Sequence, residues 1–295
     1  MMPVVIISGP TCAGKSEYAL NLAKKTNAEI ISCDSVQIYR AMDIGSAKPT
    51  KQELESVPHH LIDVANVSEI FDVAKYVELA KKAFDDIRKR GKNVIVVGGS
   101  GFYLKSWFYA VADKIEVSAE IKKFTAEIEA MGADALAQEL LKVDSNAANF
   151  IDMNNPRRTR NALERCLAAS KSVEQLRADF EKLPCPMGEF ERKFILIDRP
   201  YDDILQRIKL RTKAMIQNGL IDETKMLIEK GILRNPSLKN SIGYKQTIEF
   251  IETKSTDVEK LKNDIVIQTM SLVRKQRKYF ASQLRSVERS SPDLL

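Results

Sequence analysis

Val4-Val5-Ile6-Ile7-Ser8-Gly9-Pro10-Thr11-Cys12-Ala13-Gly14-Lys15-Ser16 is the stretch that decides the fold. Val4–Ser8 is a continuous apolar run, which suits a strand buried on both faces of a parallel sheet. Gly9, Pro10, Thr11, Cys12, Ala13, Gly14, Lys15 and Ser16 fill the pattern Gly-x-x-x-x-Gly-Lys-[Ser/Thr] completely. Ser16–Lys25 then has helical spacing, with Tyr18, Leu22 and Ala19, Ala23 on neighbouring faces. Strand, glycine turn and helix in that order make a phosphate-binding loop. Its backbone N–H groups aim at phosphate oxygens, and the helix N-terminus adds positive potential. Lys15 supplies a point charge, and the Ser16 hydroxyl is placed to ligate Mg2+. Cys12 reads as a small loop filler, because a loop that grips phosphate has no evident use for a thiolate.

Outward from this loop, residues 1–112 alternate strands and helices. Glu29–Cys33 is a short strand ending at Asp34, Val73–Arg90 a long amphipathic helix stopped by Gly91, and Asn93–Val97 a buried strand ending in Gly98-Gly99-Ser100-Gly101. The rhythm predicts an α/β fold: a P-loop parallel-sheet core with helices on both sides. Residues 113–190 lose the strand pattern. Ser118–Met131, Ala133–Val143 and Pro156–Ala169 are expected as helices of an insertion domain. Residues 191–295 return to the core with a strand in Glu191–Asp198, helices over Tyr201–Asn218 and Ile221–Lys230 stopped by Gly219 and Gly231, and a basic helix or helix pair over Asp257–Leu284. Ser290–Asp293 is expected to fray.

Composition narrows the class. No apolar run reaches the roughly 18 residues of a membrane span. Met1-Met2-Pro3 leads straight into the first apolar run with no basic region before it, which reads as a strand and not a signal peptide. A cytoplasmic monomer is the expectation. The four cysteines form no Cys-x-x-Cys pair and have no histidine nearby, which argues for reduced thiols over structural zinc. The two histidines, His59 and His60, have no assigned role and are expected to shape the fold near the site. Net charge is +2 over residues 1–112, −3 over 113–190 and +7 over 191–295, which together give the chain's +6. The basic final third suits a nucleic-acid partner, or equally a solvated helical surface.

A phosphate loop does not name its phosphate. In a parallel sheet the strand carboxyl ends gather at the edge that carries the loop, so Asp34 is expected to face the phosphates, holding Mg2+ indirectly through a water or acting as a general base, unless it only caps a turn. Asp34, Ser35, Val36 and Gln37 continue with donors and acceptors that suit an adenine edge. Gly98-Gly99-Ser100-Gly101 lets backbone approach a ligand closely and presents the Ser100 hydroxyl at the same edge. The strand before it carries no acid, which weakens an ATPase reading, although Asp198 stands open for that part. Arg207 and Arg211 share one helix face, where an arginine can clamp an oligophosphate. Arg157-Arg158-x-Arg160 and Arg274-Lys275-Gln276-Arg277-Lys278-Tyr279-Phe280 are the densest basic clusters, and the second interleaves aromatics in the manner of phosphate tracking with base stacking.

In order along nearly the whole chain, these segments resemble the tRNA dimethylallyltransferase (tRNA isopentenyltransferase) family. The resemblance rests on Gly9–Ser16, Asp34-Ser-Val-Gln-Ile-Tyr39, Asp43-Ile-Gly-Ser-Ala-Lys-Pro49, His59-His-Leu-Ile-Asp63, Gly98–Tyr103, Pro156-Arg-Arg158 leading to Ala162-Leu-Glu164, the arginine helix to Gly219-Leu220, Ile242-Gly-Tyr-Lys-Gln246 and Lys275-Gln276. It implies transfer of the dimethylallyl group of dimethylallyl diphosphate to N6 of the adenosine just 3′ of a tRNA anticodon. The loop would hold the diphosphate with Mg2+, and Asp34 would act as general base. Ser100 and Arg211 would contact the donor. Asp34–Gln37, Arg157, Arg158, Lys275 and Gln276 would contact the tRNA. Ser16 and Ser100 stand where the family usually has threonine. The terminal Lys-Arg-Gln and its following tryptophan are replaced by Arg274-Lys275-Gln276 and Tyr279. The rivals are an adenylate dimethylallyltransferase acting on free nucleotides and a P-loop nucleoside or nucleotide kinase.

Overall fold

The computed structural model describes residues 2–284; the segment Ser290–Asp293 lies outside them. Five strands form one sheet: β1 (Val4–Ser8), β2 (Ala28–Ser32), β3 (His59–His60), β4 (Asn93–Val97) and β5 (Arg192–Leu196). They run in the order β3-β2-β4-β1-β5. Every pairing is parallel, with Ile6 opposite both Val96 and Phe194 in the central three strands. β1 and β2 are buried along their whole lengths; the apolar run of β1 suits this, and in β2 Glu29 is the one charged residue, held by partners.

The helix Lys15–Thr26 packs Ala19, Leu22 and Ala23 onto Val5, Ile7, Ile30, Ile95 and Ile195. The helix Val73–Lys89 buries Tyr76, Ala80, Ala83, Phe84 and Ile87, a stripe at helical spacing. Its N-cap Asp72 accepts from the Lys75 N–H at 2.9 Å. The basic C-terminal stretch is one continuous helix, Val258–Gln283.

β3 has no sequence signature, because two residues are too few to show a period. His59 pairs with Ile30 and His60 with Ile31. His60 Nε2 lies 2.7 Å from Glu29 Oε2, which also accepts from Arg90 Nη2 at 2.7 Å. Burial pushes the Glu29 carboxyl up, but the hydrogen bonds from His60 and Arg90 outweigh it and hold the group below its ordinary range. The histidine pair thus builds the sheet edge.

The chain divides into two compact units, residues 1–108 with 186–295, and residues 109–185. The second is wholly helical and contains Ala119–Ala130, Ala133–Val143, Pro156–Ala169 and Val173–Glu181. Leu136, Leu140, Leu163, Cys166 and Leu176 form its core. Ser118, Asn155 and Ser172 cap its helices through their side chains. The last of those helices, and Tyr244–Glu252 in the first unit, were not expected from the sequence. Both are short, nine residues each. None of the four cysteines forms a disulfide. Among the described residues no helix is long and apolar enough to cross a membrane.

Candidate active site

The carboxyl ends of β1, β2, β4 and β5 release their loops at one edge of the sheet, and the loops meet backbone to backbone. A Cβ on Gly9 would lie 1.9 Å from the Ile197 carbonyl oxygen, and one on Gly98 would lie 2.0 Å from the Cys33 carbonyl oxygen. Only glycine fits at either position. Gly14 takes φ +99° and opens the helix Lys15–Thr26.

Lys15 Nζ donates to the Pro10 carbonyl at 2.7 Å. Burial pushes its ammonium down to about 8; the Asp34 charge opposes that shift and the Arg211 charge adds to it. Lys15, Asp34 and Arg211 thus share one electrostatic neighbourhood, although they are far apart in sequence. Asp34 Oδ1 accepts from the N–H groups of Val36 at 2.8 Å and Gln37 at 3.2 Å. Its turn-forming role and its exposure to the site coexist, because the other oxygen takes no hydrogen bond from the described residues. Ser100 Oγ accepts from the Ser35 N–H at 2.9 Å and lies 3.1 Å from Ser35 Oγ. It ties the loop after β4 to the Asp34 turn.

Arg207 and Arg211 differ although they share a helix face. Arg207 pairs with Asp203 at 3.0 Å, whereas Arg211, half-buried, has no carboxylate partner among the described residues. An unpaired guanidinium beside a lysine is suited to an anion carrying several charges.

A family model described as IPP transferase matches residues 37–283. The chain belongs to the IPP transferase family. A tRNA dimethylallyltransferase of Opitutus terrae is 43% identical over 279 residues, covering 95% of this chain and 90% of that protein. One from Bacillus subtilis is 38% identical, covering 89% and 83%. The solved tRNA isopentenylpyrophosphate transferase of Bacillus halodurans has a TM-score of 0.69 at 32% identity, covering 99% of this chain and 90% of its own. A eukaryotic dimethylallyltransferase structure shares the fold with a TM-score of 0.84 at 24% identity, covering 99% and 74%.

This IPP transferase places its terminal motif in two directions. Lys275 is exposed and lines a groove with Asn240, Gln246 and Gln268. Gln276 turns inward: its Oε1 accepts from the Thr11 N–H at 2.9 Å and its Nε2 donates to the Gly99 carbonyl at 3.1 Å. Sequence reasoning assigned both to the tRNA; the fold gives Gln276 a further task of joining two site loops. Asp198, left open as a metal-side acid, is held by Arg277 at 2.8 and 2.9 Å. Arg277 also donates to the Arg199 carbonyl at 2.6 Å, and Arg199 Nε donates to the Ala13 carbonyl of the phosphate loop at 2.8 Å. Arg199 is not among the site residues expected from the sequence, though its place just beyond a strand at the loop-bearing edge is a usable signal. Arg157 and Arg158 are exposed in the first turn of Pro156–Ala169, and Arg158 borders a groove with Arg165 and Arg177.

Among the described residues no group of three His, Cys, Asp or Glu side chains could hold a metal alone. Ser16 is exposed in the first turn, next to Lys15, with its hydroxyl on the phosphate loop.

Proposed function

We propose that this IPP transferase moves the dimethylallyl group of dimethylallyl diphosphate to N6 of the adenosine adjacent 3′ to the anticodon in tRNA, releasing diphosphate. The observation that carries the reading is that the Lys15 ammonium feels the charges of both the Asp34 carboxylate and the Arg211 guanidinium, which has no carboxylate partner among the described residues. Two cations suit a diphosphate, and a carboxylate beside them suits a proton acceptor.

In the reaction the bond from N6 to the allylic carbon forms while the bond from that carbon to the diphosphate oxygen breaks. The N6 proton passes to the Asp34 oxygen that the turn leaves without a hydrogen bond. An amine delocalised into adenine is a poor nucleophile, so this proton transfer contributes. Lys15, Arg211 and the loop N–H groups stabilise charge that grows on the leaving diphosphate. Ser16 would hold Mg2+, which supplies further positive charge to the diphosphate when bound. Ser35 and Gln37 hold the adenine, which must leave its stack to enter. Ser100 keeps the Asp34 turn in place and contacts the donor.

We assign the insertion at residues 113–190 to tRNA contact through Arg157 and Arg158, and Lys275 with the basic final helix to the RNA backbone. The location that suits this substrate is the cytoplasm, and the working form is a monomer. The test supplies purified protein with dimethylallyl diphosphate and, in separate mixtures, an unmodified anticodon stem-loop or AMP, with ATP hydrolysis and phosphoryl transfer followed in parallel. Prenylated stem-loop with released diphosphate is the expected result. Prenylation of AMP alone would replace the substrate, and ATP turnover without prenyl transfer would replace the reaction.

A further inference from the structure

Two segments singled out in the sequence, Asp43–Pro49 and Ile242–Gln246, receive no chemical role from the reaction. They meet at Glu223, a carboxylate only 9% exposed on the helix Leu220–Glu229. Its Oε2 accepts from the N–H groups of Asp43 at 3.0 Å and Ile44 at 2.7 Å. Its Oε1 accepts from the Gly45 N–H at 3.0 Å and the Tyr244 hydroxyl at 2.7 Å. Three successive backbone N–H groups therefore converge on one internal carboxylate, the arrangement by which backbone nests bind anions. Gly45 is required at the centre, because a Cβ there would lie 2.5 Å from the Tyr244 ring. Burial and the adjacent Glu223 charge push the Tyr244 phenol far above its ordinary value, so it stays a donor.

The loop held in this way reaches the acceptor side of the site. The carbonyls of Ser46 and Ala47 accept from Gln37 Nε2 at 3.3 and 3.2 Å, and the Gln37 N–H donates to Asp34 Oδ1 at 3.2 Å. Lys48 fixes the loop's far end by donating to Asp43 at 2.5 Å, Asp63 at 2.6 Å and the Tyr39 carbonyl at 3.0 Å. On the donor side, Glu223 follows the arginine helix Tyr201–Gln217 by one tight turn at Gly219.

We infer that Glu223 is a positioning residue for prenyl transfer: it fixes the Asp43–Ala47 loop, and through Gln37 the acceptor base, relative to the arginine helix that meets the donor. This rests on the proposed prenyl transfer to RNA. It touches no substrate and acts only on geometry, where a small displacement between reacting groups costs about a hundredfold.

The test measures kcat for stem-loop prenylation and the affinity for dimethylallyl diphosphate, both well below the melting temperature, in Glu223→Gln, Tyr244→Phe, Gln37→Leu and the Glu223→Gln/Gln37→Leu double variant. Glu223→Gln turns an acceptor into a donor facing other donors, and is expected to lower kcat about tenfold to a hundredfold with donor affinity within about threefold. Tyr244→Phe removes one of four hydrogen bonds and is expected to lose about threefold to tenfold. Because Glu223 acts through Gln37, the double variant should lose less than the product of the single losses. Unchanged kcat in Glu223→Gln and Tyr244→Phe, or independent losses in the double variant, would overturn the inference. If Glu223→Gln does not fold, Tyr244→Phe with its own Gln37→Leu double carries the same comparison. No prenylation by the unaltered protein would instead overturn the proposed function itself.

Discussion

Gln276 joins the phosphate loop to the loop after β4: its carboxamide accepts from the Thr11 N–H at 2.9 Å and donates to the Gly99 carbonyl at 3.1 Å. Thr11 and Gly99 lie on the loops that follow the neighbouring strands β1 and β4, and one side chain links them. Gln276→Ala leaves both backbone groups without this partner and is expected to cost about 1–2 kcal/mol of stability. The loosened loop should also weaken donor binding, about tenfold for each 1.4 kcal/mol of lost preorganisation. Gln276→Glu keeps the acceptor but sets a carboxylate against the Gly99 carbonyl and near the anion site, so it should bind donor worse than the alanine variant. Donor affinity by titration checks the order; equal or reversed affinities would show that the amide does not set the loop.

Asp34→Asn keeps a side-chain oxygen to accept from Val36 and Gln37 and removes the proton acceptor. Turnover on the stem-loop should fall by about 10²–10⁴. Donor affinity should stay near normal or rise, since a negative charge beside the diphosphate is gone. Single-turnover kinetics with a separate donor-binding measurement checks this, and unchanged turnover would remove Asp34 as the base.

How much of this was legible in the sequence follows from range. The phosphate loop and Asp34 were readable because a strand's apolar run and its carboxyl end are local features, and a parallel sheet then gathers the ends at one edge. The distinction between Arg207 and Arg211 is local too: Asp203 stands four residues before Arg207 on the same helix, so the spacing pairs the two and leaves Arg211 out. Gln276 stands in a basic cluster, which points to an RNA contact. Its inward turn follows from the angle between neighbouring helix positions, which places Lys275 and Gln276 on different faces. Glu223 carried no signal at all, since its partners are backbone N–H groups on a distant loop. β3 was too short for a period to appear.

The Lys15 value predicts a pH response with two opposite signs. In the folded protein burial holds the ammonium near 8, against an ordinary 10.5. Between those values the unfolded chain binds more protons, so this residue's contribution to folding becomes more favourable as pH rises, and below about pH 8 it is a constant cost. Donor binding runs the other way, because only the ammonium attracts diphosphate. Affinity for dimethylallyl diphosphate should fall as pH rises through about 8, and binding there should take up about half a proton. Calorimetry in two buffers of different ionisation enthalpy measures that uptake. Lys15→Arg stays charged throughout and should lose this pH dependence even if it binds more weakly.

The basic clusters predict a salt response that separates backbone contacts from the reaction itself. Each phosphate neutralised by Lys or Arg releases counterions, so log affinity for the stem-loop should fall linearly with log salt, by about 0.7–0.9 per contact. Arg157, Arg158 and Lys275 are exposed, and the structure shows no ion pair for any of them among the described residues. Replacing Arg157 and Arg158 together by Ala should therefore weaken RNA binding and flatten the slope by about two contacts' worth. With saturating RNA the variant's kcat should stay close to that of the unaltered protein, because the proposed prenyl transfer gives neither arginine a part in the chemical step. Binding isotherms across a salt series, with kcat measured at saturation, give both quantities. An unaltered slope would show that these arginines are a solvated helix face and that the RNA is held elsewhere.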